Sequence, residues 1–273
     1  MLTRFNPLNH PVLYAEPRRL TRLSAWHEHI PFAMVLVDLA RPRTFVELGT
    51  HSGDSYCGVC QAVATLRLDT RCVAVDTWTG DEHSTSYGPE ILRDLRAHHD
   101  ALYATFSELR PSTFDEALAR FPDRGVDLLH IDGLHTYEAV EHDFTSWLPK
   151  MSPRGIVLFH DTAVTGFGFG VKTFWEQISR RYPSFEFHHG HGLGVLAVGA
   201  EQPESIHEIL SASAEDTVTI RSFFAGMGQR LSLEIEVGRT RDTLQKIRQS
   251  LGWRLLRRLD RANLHLIPQL DTD

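Results

Sequence analysis

Residues 44–55 read "TFVELGTHSGDS", and the order of residue types in this stretch decides the architecture. A short β-rich apolar run ends in Gly49, a second glycine follows at Gly53, and a helix is expected to begin near Asp54 or Ser55. A strand that leaves the core through a glycine turn into a helix is the opening unit of an α/β sheet, and the same unit recurs downstream. Further strand-like runs are "CVAVD" (72–76), "ALYATFS" (101–107), "VDLLHID" (126–132), "GIVLFHD" (155–161), "FEFHH" (185–189) and "GLGVLAVG" (192–199). Between the first five lie helical patterns such as "TYEAVEHDFTSWLP", in which Tyr137, Val140, Phe144, Trp147 and Leu148 recur at three- and four-residue spacing.

Only "GH" separates the last two runs, so they form a hairpin and one of them runs antiparallel to the rest. The expected fold is therefore a Rossmann-like, mostly parallel sheet of seven strands with one antiparallel strand and helices on both faces. A helical segment is expected over residues 17–40 and one or two short helices over 201–230. Residues 1–200 are taken as the main domain, and residues 201–273 as a helical C-terminal extension.

The chain of 273 residues is long enough for one large α/β core, and 42% hydrophobic with 23% charged residues is the balance of a soluble globular protein. No apolar run reaches the length of a spanning helix, and "MLTRFNPLNHPVLYAEPRR" lacks the apolar centre of a secretory signal. A cytoplasmic protein is expected, with no nucleic-acid partner. Three cysteines give no disulfide framework. Cys57 and Cys60 form a CxxC without two further ligands at compatible spacing, so small buried helix residues are preferred to zinc or redox chemistry.

The net charge of −7 is unevenly spread. Residues 239–261 hold eight basic and two acidic side chains, a local +6 that leaves −13 elsewhere. Here "TRDTLQKIRQSLGWRLLRRLD" sets Leu244, Ile247, Leu251, Leu255 and Leu259 near one face of a basic amphipathic helix, or of a pair broken near Gly252. Such a helix covers the sheet, or meets a protein partner, a second subunit or the inner face of a membrane.

Ligands of open α/β sheets bind beyond the carboxyl ends of the strands, so the residues there carry the chemistry. The turn after the first strand has G-x-x-x-G spacing rather than the dinucleotide G-x-G-x-x-G, but it still offers close backbone approach and free N–H groups at a helix start. Asp76 ends the second strand 23 residues beyond Gly53, where an acidic residue either accepts ribose hydroxyls or forms a strand-end turn. Beside the glycine turn, the ribose reading is favoured, which implies an adenosine-containing ligand.

Asp132 ends the fourth strand, and His160 with Asp161 ends the fifth. Two carboxylates and one imidazole on neighbouring strand ends suit a divalent ion such as magnesium, although each residue alone could be a cap or turn former. His135 follows Asp132 by three residues; it either caps the next helix or stands beside the ion as a general base. The long loop 76–90 carries Trp78, Asp81, His83 and Tyr87 as candidate substrate contacts.

Four blocks in order, "FVELGTHSGDSY", "AVDTWTGDEHSTSYG", "LLHIDGLHTYEAVEHDFTSWLPKMSPRGIVLFHDT" and "GHGLGVLAVG", resemble the class I S-adenosylmethionine-dependent methyltransferases over roughly residues 20–200. The branch they are most similar to holds macrolide-sugar and other metal-dependent O-methyltransferases. The resemblance implies that Glu47, Gly49 and Gly53 hold the methionine part of the cofactor, with Ser52, Asp54 and Ser55 at the adjoining helix start. It further implies that Asp76 holds the ribose and Ser112 the adenine region, and that Asp132 belongs to both the cofactor and the metal site. Asp132, His160 and Asp161 match the family's metal positions and His135 its base, with a histidine at 160 where catechol-type relatives carry a carboxylate.

"IRQSLGWRLLRRLDR" resembles a Ser-x-x-Trp-Arg segment of bacterial glycan-assembly proteins, which implies a sugar or glycan acceptor for O-methylation. A homo-oligomer is a further expectation. Two alternatives stay open: a hydroxylase-like enzyme on the same fold, and a non-catalytic scaffold of a glycan-assembly complex.

Overall fold

The computed structural model describes residues 5–23, 25–80, 88–166 and 168–259. Seven strands form one sheet: β1 (Thr44–Leu48), β2 (Arg71–Asp76), β3 (Ser107–Pro111), β4 (Val126–Ile131), β5 (Met151–His160), β6 (Ser184–Phe187) and β7 (Leu193–Ala197). Their spatial order is β3-β2-β1-β4-β5-β7-β6. The pairs among the first five strands are parallel, while β7 runs antiparallel to both β5 and β6. The helices that flank them are α1 (Ile30–Ala40), α2 (Asp54–Leu66), α3 (Pro89–Tyr103), α4 (Phe114–Leu118), α5 (Tyr137–Trp147), α6 (Val171–Ile178), α7 (Glu204–Leu210), α8 (Ala214–Gln249) and α9 (Leu251–Leu259). This is the class I methyltransferase fold.

Central parallel strands are covered on both faces and so read as continuous apolar runs rather than alternating ones. Strands β1 and β4 follow this rule, with Phe45, Val46, Leu48, Leu128 and Leu129 fully buried. One core cluster joins them to Phe144 and Trp147 of α5, Phe174 and Trp175 of α6 and Phe159 of β5. Thr136 caps α5 by accepting the Ala139 N–H through its hydroxyl.

Three expected elements are placed differently. The run "ALYATFS" is not a strand: its first residues close α3, where Tyr103 packs inward with Leu95 and His99, and the strand begins at Ser107. β3 is an edge strand, so Ser107 and Leu109 are buried on either side of the exposed Glu108 and the apolar signal is halved. The helix expected over 17–40 is confined to Ile30–Ala40, preceded by a 3-10 turn at His27–His29. The helices expected over 201–230 become α7 and the first half of α8, a helix of 36 residues.

Residues up to Gly228 form one compact unit and those from Gln229 a second, so the boundary lies beyond residue 200. The reason is burial, since Ile206, Ile209, Ile220 and Phe224 belong to the first unit's interior. The C-terminal helix is interrupted at Ser250, two residues before Gly252. No helix among the described residues is long and apolar enough to cross a membrane.

Asp143 on α5 is a carboxylate inside this packing. Burial pushes its carboxyl up to about 7, with Asp115 adding to the rise and His142 partly opposing it. The folded state therefore binds this proton more tightly than the unfolded chain, whose carboxyl titrates near ~3.9. Stability should rise as pH falls from about 7 towards 4. Asp143→Asn removes the ionisable group at constant shape. It should raise stability at pH 8 by about 2 kcal/mol, with little change at pH 4.5, in paired thermal melts.

Candidate active site at the carboxyl ends of the strands

From β1 the chain winds through β2 and β3 on one side, then returns to lay β4 and β5 on the other. The carboxyl ends of β1 and β4 thus flank the crevice where the winding direction reverses. A cavity of about 1280 Å³ opens there, lined by Gly49 through Ser55, Asp76, Asp132 through His135, His160 and Asp161. Its outer wall includes Leu23, Trp26, Phe114, Val164 and Phe169.

Gly49 and Gly53 both take left-handed backbone angles, with φ of +85° and +78°. The turn between them is braced from three sides. Asp76 accepts the N–H groups of Thr50 and His51 through Oδ2, each at 2.8 Å, and the N–H of Trp78 through Oδ1 at 2.6 Å. Arg19 donates through Nε to the Ser52 carbonyl at 2.6 Å. Thr21 donates its N–H and hydroxyl to the two carboxylate oxygens of Asp54. Asp76 is therefore a turn former here, and it also lines the cavity.

The expected cofactor residues divide into two groups. Gly49, Ser52, Gly53, Asp54, Ser55, Asp76 and Asp132 line the cavity, while Glu47 and Ser112 do not. Glu47 is completely buried beneath the turn and accepts a hydrogen bond from His130 Nδ1, its register neighbour on β4, at 2.8 Å. Burial raises the Glu47 carboxyl, and His130 and Ser55 pull it back. Ser112 is tied through its backbone N–H to the Asp76 carbonyl. Trp78 is buried and donates through Nε1 to the His51 carbonyl, which makes it a brace of the turn rather than part of the cavity wall. Asp81, His83 and Tyr87 lie outside the described residues.

On the opposite side Asp132, His135 and Asp161 bring one ligand atom each to within 4.8 Å of one another. His135 Nε2 lies 2.9 Å from Asp161 Oδ2 and 3.7 Å from Asp132 Oδ1. Its ring stacks on Phe169 with centroids 4.4 Å apart. Burial opposes the charged form of His135, but the two carboxylates outweigh it and raise the imidazole to about 9. Burial likewise opposes charge on Asp161, yet His135 and His160 bring its carboxyl down to about 2. Asp132 is held well below the usual carboxylate range, the charge of His160 leading the groups that overcome its burial.

His160 is the expected ligand that stands apart from the trio. Its Nδ1 lies 3.2 Å from Asp132 Oδ1 and its Nε2 lies 3.3 Å from the Gly190 carbonyl. Both partners are acceptors, so both nitrogens donate and the ring is an imidazolium, raised above its ordinary value by the neighbouring carboxylates despite burial. His135, rather than His160, is the histidine whose ring nitrogen lies with one oxygen of each of the two carboxylates within 4.8 Å.

Some residues of the site carried no motif. His130 sits inside what reads as an apolar strand, and a histidine in a buried run was the available signal. His29 donates through Nε2 to the Gly190 carbonyl at 2.8 Å, and burial keeps it well below its usual pKa. Trp26 lies edge-on to His130, with centroids 4.8 Å apart. Backbone geometry also marks the site. His51, Asp161 and His191, all lining the cavity, take positive φ without being glycine. Such angles persist only where the surroundings enforce them.

Residues 46–162 match a family model described as a methyltransferase domain. An uncharacterised protein of Sinorhizobium fredii (strain NBRC 101917 / NGR234), y4gI, is 50% identical over 199 residues, a match covering 73% of this chain and 22% of that protein. The chain thus spans about a fifth of the length of this curated relative. Among solved structures, a Staphylococcus aureus protein named as a candidate caffeoyl-CoA O-methyltransferase is similar with a TM-score of 0.50 at 12% identity, over 70% of this chain and 90% of that one. Cofactor-bound Rv0187 from MTB is similar with a TM-score of 0.50 at 14% identity, over 72% and 92% of the two chains. At these identities the structural likeness speaks to the fold.

Proposed function

With a methyltransferase domain across residues 46–162 inside a class I sheet as the premise, we propose that the chain transfers a methyl group from S-adenosylmethionine to a hydroxyl of a neutral, sugar-like acceptor. The observation that carries this reading is that the glycine turn and the Asp132, His135, Asp161 cluster open into one cavity. One wall offers backbone N–H groups at the start of α2, suited to a methionine carboxylate, and Asp76, suited to a ribose. The other wall offers acid–base groups, so donor and acceptor would meet across a short gap. Alignment of that kind supplies much of the acceleration in a displacement at a methyl group.

Charge supports the acceptor class. The cavity wall includes Asp54, Asp76, Asp132 and Asp161 against the two raised imidazoles of His135 and His160, with no lysine or arginine among its described residues, so carboxylates outnumber cations. Such a wall suits a sulfonium cofactor and a polyhydroxylated neutral acceptor, and disfavours a phosphate-bearing one. The volume of about 1280 Å³ exceeds the ~300–1,000 Å³ usual for one ligand, which leaves room for both.

The carboxylates of Asp132 and Asp161 fit a hard divalent cation such as magnesium, with His135 beside them and outside the ligand set. When bound, such an ion supplies positive charge that lowers the pKa of an acceptor hydroxyl. His135 is the residue we assign to accept that hydroxyl's proton, its ring held in place by Phe169.

Calorimetric titration with S-adenosylmethionine, followed by product mass after incubation with neutral glycosides, tests the reading. A gain of one methylene supports it; a gain of one oxygen, or no binding, refutes it. The base assignment has its own signature. In chelated protein His135 holds its proton up to about pH 9, so turnover should climb with pH towards that value. His135→Gln should lose about a hundredfold in kcat and flatten this limb. The ion pairs of His135 stabilise the fold fully below its ordinary value near 6.5 and are lost as pH rises through about 9.

A further inference from the structure

The second half of α8 buries none of its described side chains. From Glu236 to Ser250 every residue is exposed. A helix of this length is marginal in water without a packed face. It nevertheless carries large apolar side chains in the open: Leu233, Val237, Leu244, Ile247 and Leu251 are 53, 47, 49, 48 and 73% exposed.

Their spacing is that of a seam. Leu233, Val237, Thr240, Leu244 and Ile247 alternate by four and three residues, which places them at successive d and a positions of a heptad over about 21 Å of α8, and Leu251 opens α9 beyond the interruption at Ser250. The stripe is one seam wide rather than the broad apolar face of a surface helix covering a sheet. Gly238 and Gly252 fall on the outer b positions, where an added Cβ would meet nothing within 4 Å. Arg230 at the preceding a position and Gly226 at the preceding d position end the seam upstream.

The flanking charges choose the occupant. Glu236 falls at g, and Arg241 falls at the e position five residues later. In a parallel pair of identical helices, g of one chain faces e of the next heptad in its partner, so Glu236 of each chain meets an Arg241 of the other. The pairing occurs twice by symmetry and asks for no other protein. Glu234, at e, already pairs along its own helix with Arg230 at 3.3 Å. Acidic residues bordering the seam also make it a poor match for an anionic bilayer, which a fully basic flank would attract.

We propose that residues 233–247 form a parallel two-stranded coiled coil with the same segment of a second copy of this chain. The inference does not depend on the proposed chemistry of the cavity.

The test is sedimentation equilibrium of the full chain over a range of concentrations. A dimer is expected, and Leu244→Glu with Ile247→Glu should convert it to a monomer while the melting transition of the sheet-containing unit stays in place. Glu236→Arg and Arg241→Glu should each weaken the dimer about tenfold, by turning two attractions into repulsions. Mixing the two single variants should restore it, because each then faces an opposite charge. A monomeric wild-type chain, a dimer that survives the Leu244→Glu, Ile247→Glu change, or mixed variants that fail to recover would each overturn the proposal. So would a monomer that cosediments with phosphatidylglycerol vesicles through this segment.

Discussion

Asp132→Ala should lower methyl transfer by about three orders of magnitude while leaving S-adenosylmethionine binding within a few-fold of wild type. Three imidazoles converge on this one carboxylate: His160 Nδ1 at 3.2 Å, His135 Nε2 at 3.7 Å and His130 Nε2 at 4.0 Å. They come from β5, the turn after β4, and β4 itself. Removing the carboxylate leaves the buried His160 cation with Asp161 as its remaining counter-charge, 3.5 Å away.

Breaking a buried pair from one side costs on the order of 3–5 kcal/mol, and the cluster would relax by giving up protons. His135 would then lose the orientation that the proposed proton transfer needs. The glycine turn and Asp76 are untouched, so the expected signature is a fall in kcat with little change in KM for the cofactor. Asp132→Asn keeps the shape and removes the charge, and should fall nearly as far. Retention of more than a tenth of the wild-type rate in the asparagine variant would exclude a role for the charge.

Gly49→Ala should be the most destabilising single change in the site, by about 3 kcal/mol or more, and should abolish cofactor binding. Two costs add. The backbone sits at φ +85°, a region that side chains rarely enter, and an added Cβ would lie 2.1 Å from the Asp132 carbonyl oxygen and 2.9 Å from the Gly133 nitrogen. Those are backbone atoms that cannot rotate away. They are fixed in turn by the Asp132 N–H donating to the Leu48 carbonyl at 2.9 Å.

Gly166→Ala separates the two costs. Gly166 has φ +88° but open space around the added carbon, so it should lose only about 1 kcal/mol. Thermal melts of the two variants measure the difference, expected at roughly 4–8 °C for a domain of this size. Equal losses would mean that the close approach of the two loops contributes nothing.

The sheet was legible wherever burial on both faces makes a strand continuous and apolar, as in "TFVELG" and "VDLLHID". The hairpin was legible because two residues cannot carry a crossover. β3 was misplaced because an edge strand shows only half the apolar signal, and a nearby helix end supplied a stronger one. The strand-end aspartates were found by position, since the topology puts chemistry there. Their roles were less legible, because spacing cannot tell which nitrogen of His160 is already committed to Gly190, or that Asp76 spends both oxygens on backbone N–H groups. Glu47 and Trp78 were placed in contact with ligands because they flank the turn. The structure shows that they hold it from beneath, a distinction set by side-chain direction.

One carbonyl carries a last consequence. Gly190, in the turn between β6 and β7, lies within hydrogen-bonding reach of both His160 Nε2 and His29 Nε2, the latter separated from it by 161 residues of chain. Closing so long a loop is slow compared with pairing neighbouring strands. The contacts that tie His160 and His29 to this carbonyl are complete only once the final hairpin has docked. During synthesis the nascent chain would thus complete its imidazole cluster only after β6 and β7 have emerged.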